Sequence, residues 1–270
     1  MSAVGLAVPA RISEDHFVTA LVGALAGRLV EEGTSLMTRV VRDDEAEEQL
    51  YRHWASMGGI TGVALLGVRT DDPRLPALAE LGLPVAAVAH ASHGNGFPAV
   101  VVDVEGSVAA LRTFLAGRGQ RRTVYVVAQD DRDDAPWHTV VEGAAVLEDG
   151  EVDDSFEVVH AGQGGEAVVT AATAALAAGP ATLVFHSDVH AAAALAAFRE
   201  RGLRVPQDVA IVSWTYSTLC QSTTPSITAL NRRGVEIGAM LGERMLGALA
   251  GDRTTQDRAP APFVVLGETT

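Results

Sequence analysis

The run His186-x-Asp188-x-His190 sets three metal-capable side chains within five residues. A zinc site needs three or four ligands converging at ~2.0–2.2 Å. This run straddles a strand-to-helix turn, so its side chains diverge, and Asp188 is placed to cap the helix that follows. The acidic stretch Asp130-Asp131-Arg132-Asp133-Asp134 lacks the alternating ligands and closing Glu of a calcium loop and reads as a solvated charge run. No Gly-x-Gly-x-x-Gly follows the first strand-like run, and Gly162-x-Gly164-Gly165 lacks the full spacing. There is no Gly-x-Ser-x-Gly elbow, and nothing in the sequence sets a histidine beside the lone Cys220. The expectation is a protein that is not an enzyme and needs no metal and no cofactor. What remains is a set of histidines and aromatic residues: His16, Phe17, His90, His93, Trp137, His138, His186, Trp214 and Tyr216. Such side chains hold a small, flat or partly apolar ligand by stacking and a few polar contacts.

The elements that would position them alternate along the chain. Short apolar runs at 4–8, 35–41, 62–66, 84–89 and 99–103 read as strands, separated by helical-period segments at 17–30, 43–57 and 74–81. The pattern then restarts. Helical segments at 105–117, 137–147, 166–178 and 190–201 interleave with strands at 123–128, 156–159, 181–185 and 209–212, and a helix at 235–249 and a strand at 262–266 close the chain. Near-continuous Val, Ala and Leu strands between helices mark parallel sheets covered on both faces. Two series of similar length argue for two doubly wound lobes, the competing layout being one sheet of ten or more strands. In such sheets the ligand lies outside the carboxyl ends of the strands, which is where most of the histidines and aromatic residues fall.

Composition narrows the class further. The 270 residues are 48% hydrophobic, which excludes a disordered chain, and one cysteine excludes a disulfide scaffold. No apolar run is long enough for a membrane span, and the first nine residues lack the features of a signal peptide, so the chain reads as cytoplasmic with no membrane partner. All 20 basic residues are Arg, they do not cluster, and the net charge is −14, so this polypeptide itself is a poor nucleic-acid binder.

Two segments carry a resemblance. Residues 202–213, Gly-Leu-Arg-Val-Pro-Gln-Asp-Val-Ala-Ile-Val-Ser, resemble the Gly-x-x-Val-Pro-x-Asp-Val-x-Val-x-Gly run of the lactose-repressor (LacI/GalR) family of transcriptional regulators. Residues 225–230, Pro-Ser-Ile-Thr-Ala-Leu, resemble that family's Pro-Pro-Leu-Thr-Thr-Val, and the helix containing Gly238 follows at the family's distance. Asp103 with its spacing to Leu115, Gly119 and Gln120, and the helix with Ala191 after Ser187-Asp188, support the match. The resemblance implies an α/β, periplasmic-binding-protein-like core: two doubly wound parallel-sheet lobes joined by three crossovers, near Val102, Leu230 and Asp252. The expected division is 1–102 with 231–252, and 103–230 with 253–270. It also implies a homodimer, a small-molecule effector between the lobes, and operator DNA contacted only through an N-terminal helix-turn-helix. That head is absent from this sequence, whose first strand begins at Ala3. An exported solute-binding protein of a transporter shares the architecture and is the alternative.

The match departs from the sugar-binding members at the site itself. The resemblance puts His138 at the family's cleft Arg, Thr215 at the Asp of its Gly-Phe-Asp-Asp run, and Ser187 at the Asn of its Asn-Asp pair. Losing an Arg and a carboxylate removes two strong orienting groups, which argues against a simple pentose or hexose. The expected effector-binding set is Arg11, His16, Phe17, Asp103, Trp137, His138, His186, Ser187, Asp188, Trp214 and Thr215. Plainer readings stand beside it: Trp214 and Phe17 as core, Asp103 as a helix cap, and Arg11 and His138 as exposed surface.

Overall fold

The computed structural model describes residues 2–13, 15–68, 71–90, 97–119, 122–128, 156–162 and 164–270. They form two compact units, Met1–Asp103 with Arg233–Pro260, and Val104–Arg232 with Ala261–Thr270.

The first unit is built on six strands: β1 (Ala3–Pro9), β2 (Ser35–Val41), β3 (Ile60–Val68), β4 (Val85–Ala89), β5 (Ala99–Val101) and β11 (Gln256–Arg258). They lie in the order β11-β5-β4-β3-β1-β2, every pairing parallel. Helices α1 (His16–Glu31), α2 (Asp44–Met57), α3 (Arg74–Glu80) and α8 (Gly234–Leu249) belong to it. Along β1, Val4, Leu6 and Val8 enter one core cluster with α1 and α8, while Ala7 enters another with Tyr51 and Trp54 of α2. Burial on both faces is why the strands read as unbroken apolar runs rather than alternating ones.

The second unit repeats the plan. Strands β6 (Thr123–Ala128), β7 (Phe156–Ala161), β8 (Thr182–Phe185), β9 (Ala210–Ser213), β10 (Thr228–Asn231) and β12 (Phe263–Val265) lie in the order β12-β10-β9-β8-β6-β7. Its helices among the described residues are α4 (Val104–Gly117), α5 (Gly165–Ala175), α6 (Asp188–Glu200) and α7 (Thr218–Ser222). All the pairings are parallel except that of β12, which runs antiparallel to β10. Each sheet therefore has the doubly wound order, with its topological switch point between β1 and β3 in one unit and between β6 and β8 in the other.

Helix α1 starts where Asp15 accepts the Phe17 amide at 2.7 Å, an N-cap, and buries Val18, Leu21, Leu25 and Leu29 along one face. Helix α8 packs against it unusually closely because Gly234, Gly238 and Gly242 recur every four residues on the facing side. A Cβ on Gly238 would sit 2.2 Å from the Leu21 carbonyl oxygen, and one on Gly242 2.7 Å from the Arg28 Cβ. The absent side chains let the backbones approach.

The structure differs from the sequence reading at several points. The third passage between units follows Pro260 rather than Asp252, because Gln256–Arg258 pairs with β5 of the first sheet. Three polar residues give no apolar strand signal; only the neighbouring strand recruits them. Helix α6 begins two residues earlier than its apolar period suggests, and its cap is Ser187, whose hydroxyl accepts the Val189 amide at 3.2 Å. Asp188, read as that cap, is instead the first helical residue. The short α7 carries too few residues to show a period. The helix expected at 137–147 lies outside the described residues. Among the described residues no helix is long and apolar enough to cross a membrane.

Candidate functional site

In the second unit, the carboxyl ends of β8, β9 and β10 lie side by side, and hydrogen bonds join the turns that follow them. The Trp214 amide donates to the Phe185 carbonyl at 2.8 Å, and the Thr215 hydroxyl donates to the His186 carbonyl at 3.2 Å. Thr215 Oγ1 also accepts from Arg232 Nη2 at 2.8 Å, and the Tyr216 amide donates to the Leu230 carbonyl at 3.0 Å. Thr215 is 1% exposed, so these bonds fix a hydroxyl that has no room to turn. Ser213 tightens the same turn, its hydroxyl donating to the Thr215 carbonyl at 2.7 Å.

At the switch point between β6 and β8, the Tyr125 hydroxyl and His186 Nδ1 are 3.1 Å apart, with the two rings tilted at a centroid distance of 6.4 Å. Tyr125 also meets Trp214 edge-on at 5.7 Å. Trp214 is 2% exposed and packs in the core with Val127, Val184 and Val212, so it supports the edge from beneath. Asp188 is fully buried and accepts a hydrogen bond from the Ser217 hydroxyl, while Ser217 caps α7 by accepting the Leu219 amide at 3.1 Å. Burial pushes the His190 imidazole below its usual range, against the pull of Asp188. Burial likewise raises the Cys220 thiol, which donates to the Thr215 carbonyl at 3.6 Å, so the thiol is kept protonated and unreactive. Among the described residues no group of three or more His, Cys, Asp or Glu side chains is arranged to hold a metal ion.

The first unit presents its own strand ends. After β1 a short 3-10 turn, Ala10–Ile12, contains Arg11 and leads to the Asp15 cap. His16 then stands exposed at the start of α1, and Phe17 is half-buried against the core shared with α8. Asp103, exposed, is the last residue before α4. Behind the end of β3 lies a buried charged set. Arg74 donates to Asp72 at 2.7 and 2.9 Å, to Glu47 at 3.2 Å, and to the Leu66 carbonyl at 3.2 Å. The Tyr51 hydroxyl donates to Glu47 at 2.5 Å. Burial and the Glu47 charge both hold the Tyr51 phenol well above its usual range. Burial works against the Arg74 charge, but the bonds to Asp72 and the attraction of Glu47 outweigh it, so the guanidinium stays firmly protonated.

Of the expected effector residues, the second unit brings His186, Ser187, Asp188, Trp214 and Thr215 together on one edge, and the first unit places Arg11, His16 and Phe17 after β1. Trp137 and His138 lie outside the described residues. Tyr125, Ser217 and Arg232 join the edge without having been singled out in the sequence. Arg232 directly follows an internal strand, the one signal that could have pointed to it. Tyr125 and Ser217 gave none, because their role arises from strands adjacent in the sheet and distant in sequence.

Residues 113–270 match the periplasmic binding protein-like domain family. The chain belongs to that family. Within it, the segments at 202–213 and 225–230 resemble those of LacI-type cores. It is 32% identical over 221 residues to an HTH-type transcriptional regulator in the aml 5′ region of Streptomyces limosus, a match covering 74% of this chain and 60% of the relative. The chain thus spans under two thirds of that regulator's length. Its fold is that of a LacI family transcriptional regulator from Bifidobacterium animalis subsp. lactis, with a TM-score of 0.80 and 23% identity over 99% of this chain and 97% of the other. It is also that of the transcriptional regulator CelR in complex with cellobiose, with a TM-score of 0.82 and 22% identity over 99% of this chain and 84% of the other. These relatives are regulators, which is consistent with a chain that is not an enzyme.

Proposed function

We propose that this chain is the effector-binding and dimerisation core of a cytoplasmic LacI-type transcriptional regulator. A small molecule, a sugar or another metabolite, binds at the carboxyl ends of the strands. Its differential affinity for two arrangements of the core controls operator binding by a helix-turn-helix that is not in this sequence. The observation that carries the reading is the preorganised polar edge formed by His186, Thr215 and Arg232 at the switch-point side of a LacI-type core. Arg11, His16, Phe17, Asp103, Trp137, His138 and Ser187 complete the proposed effector surface. Trp214, Thr215 and Asp188 serve it from below, since none of the three side chains reaches the surface, and Thr215 acts by holding Arg232 and the His186 carbonyl in place. The cellobiose bound by CelR supports a saccharide, and the loss of the family's Arg and Asp argues against a simple pentose or hexose. That the relatives are regulators ranks this reading above a transporter's solute-binding protein.

Dimerisation is proposed through the first unit's edge strand. On β2, Met37 and Val40 are 47% and 64% exposed, and Val30 at the end of α1 is 64% exposed. An edge strand that leaves large apolar side chains exposed is a place for a partner. Sedimentation at micromolar concentration should give a species near twice 28.1 kDa; a monomer alone would reverse the ranking in favour of the transport reading.

The deciding test is thermal unfolding against cellobiose, other disaccharides, monosaccharides, purine bases, nucleosides and aromatic metabolites. Ligand at about 100 times its Kd adds about 2.7 kcal/mol, which at about 2–4 °C per kcal/mol is a shift of roughly 5–10 °C for a domain this size. A saccharide should give that shift. A shift confined to flat aromatic compounds would replace the sugar, and silence across the panel would remove the effector from the proposal.

A further inference from the structure

We infer that Asp188 and Ser217 are a positioning pair that locks the two strand-end turns of the second unit into one rigid clamp. The inference rests on the effector-binding reading for its purpose, and on the geometry of the second unit for its substance. The turn after β8 and the turn after β9 are about thirty residues apart in sequence and belong to different helix starts. Each has its own cap: Ser187 accepts the Val189 amide at the head of α6, and Ser217 accepts the Leu219 amide at the head of α7. Capping by itself would leave the two turns independent of one another.

Three bonds couple them. The Trp214 amide reaches the Phe185 carbonyl, the Thr215 hydroxyl reaches the His186 carbonyl, and the Ser217 hydroxyl reaches the Asp188 carboxylate. The last differs from the others in kind. Ser217 is 7% exposed and Asp188 is not exposed at all, so a charge-assisted bond is made where water cannot substitute for it. Asp188 also lies in the first turn of α6, where the helix dipole favours a carboxylate. A single hydroxyl thus serves two ends at once, accepting from α7 and donating to α6. Thr215, held between them, carries the bond to Arg232 and so passes the alignment to the end of β10. A site whose polar groups are fixed before the ligand arrives binds without the entropy of ordering them.

Hydrogen–deuterium exchange on the intact chain tests this without any ligand, so its failure is separate from failure of the effector reading. Asp188→Leu removes the carboxylate and leaves the Ser217 cap in place. The amides of Trp214, Thr215 and Leu219 should then exchange at least about tenfold faster, while those of β6 and β8 keep their protection. Ser217→Ala is the reciprocal variant, and the Val189 and Ala191 amides should accelerate with it. Ser217→Thr, which keeps both bonds, should restore both turns. If each substitution loosens only the turn that carries it, the turns are independent and the clamp is wrong. Should Asp188→Leu fail to fold, Ser217→Ala decides alone by the same criterion.

Discussion

In the first unit the buried charges close on one another. Arg74 faces Asp72 and Glu47, and Tyr51 and the Leu66 carbonyl complete the set. In the second unit the comparable polar groups lie along the ends of three strands, and hydroxyls do most of the joining: Tyr125, Thr215 and Ser217. The strand order is the same in both units, so topology does not explain the difference. A guanidinium with two buried carboxylates is satisfied inside the protein and fastens α2 and α3 to the end of β3. A row of hydroxyls and an imidazole lines up along the strand ends, bonded to backbone carbonyls, to Asp188 and to Arg232, and leaves His186 only partly buried. The first arrangement stabilises the unit, and the second preorganises an edge. One fold repeated twice in a chain can therefore divide these tasks.

Four substitutions would break or sharpen that contrast. The largest effect is expected from Arg74→Met, which strands Glu47 and Asp72 in the interior. Urea unfolding should show a loss of about 3–5 kcal/mol, and a loss under 1 kcal/mol would mean that the set is not structural. Gly238→Ala comes next, since its Cβ would meet the Leu21 carbonyl where α8 crosses α1. Overpacking there should cost about 1–3 kcal/mol. Gly27→Ala, where an added Cβ meets nothing within 4 Å, should instead gain roughly 0.5–1 kcal/mol; equal effects at the two glycines would contradict the close crossing. The smallest loss of stability belongs to Tyr125→Phe, at about 0.5–1.5 kcal/mol. Its larger consequence should be a reduced thermal shift with whichever compound of the ligand panel binds, because His186 loses the hydroxyl that orients it. A stability cost matching that of Arg74→Met, with ligand response intact, would erase the distinction between the units.

Much of the architecture was legible in the sequence because a parallel strand buried on both faces writes itself as an apolar run, and the helices over it as a 3.6-residue period. The strands at 4–8 and 62–66, the restart after residue 103 and the glycine-bearing last helix all follow from local pattern. So do the segments at 202–213 and 225–230, whose residue types carry the family resemblance. Residues 256–258 were not legible, since a polar edge strand is defined only by its neighbour. Nor was the burial of Asp188, whose short acidic side chain at a helix start looks like a cap in any sequence. The aromatic candidates were only half legible. Trp214 and Phe17 could be read either as ligand contacts or as core, and packing puts Trp214 wholly in the core and Phe17 partly there.

By itself, then, the sequence determined the class, the repeated doubly wound plan and the loops that follow the strand ends. All of these depend on periodicity and residue type along the chain. The tertiary structure alone decided which polar groups meet. Tyr125 and His186 are 61 residues apart, and Ser217 and Asp188 are 29 apart. Such pairs form because parallel neighbours in a sheet bring the ends of distant strands within hydrogen-bond reach, an adjacency that no local pattern encodes.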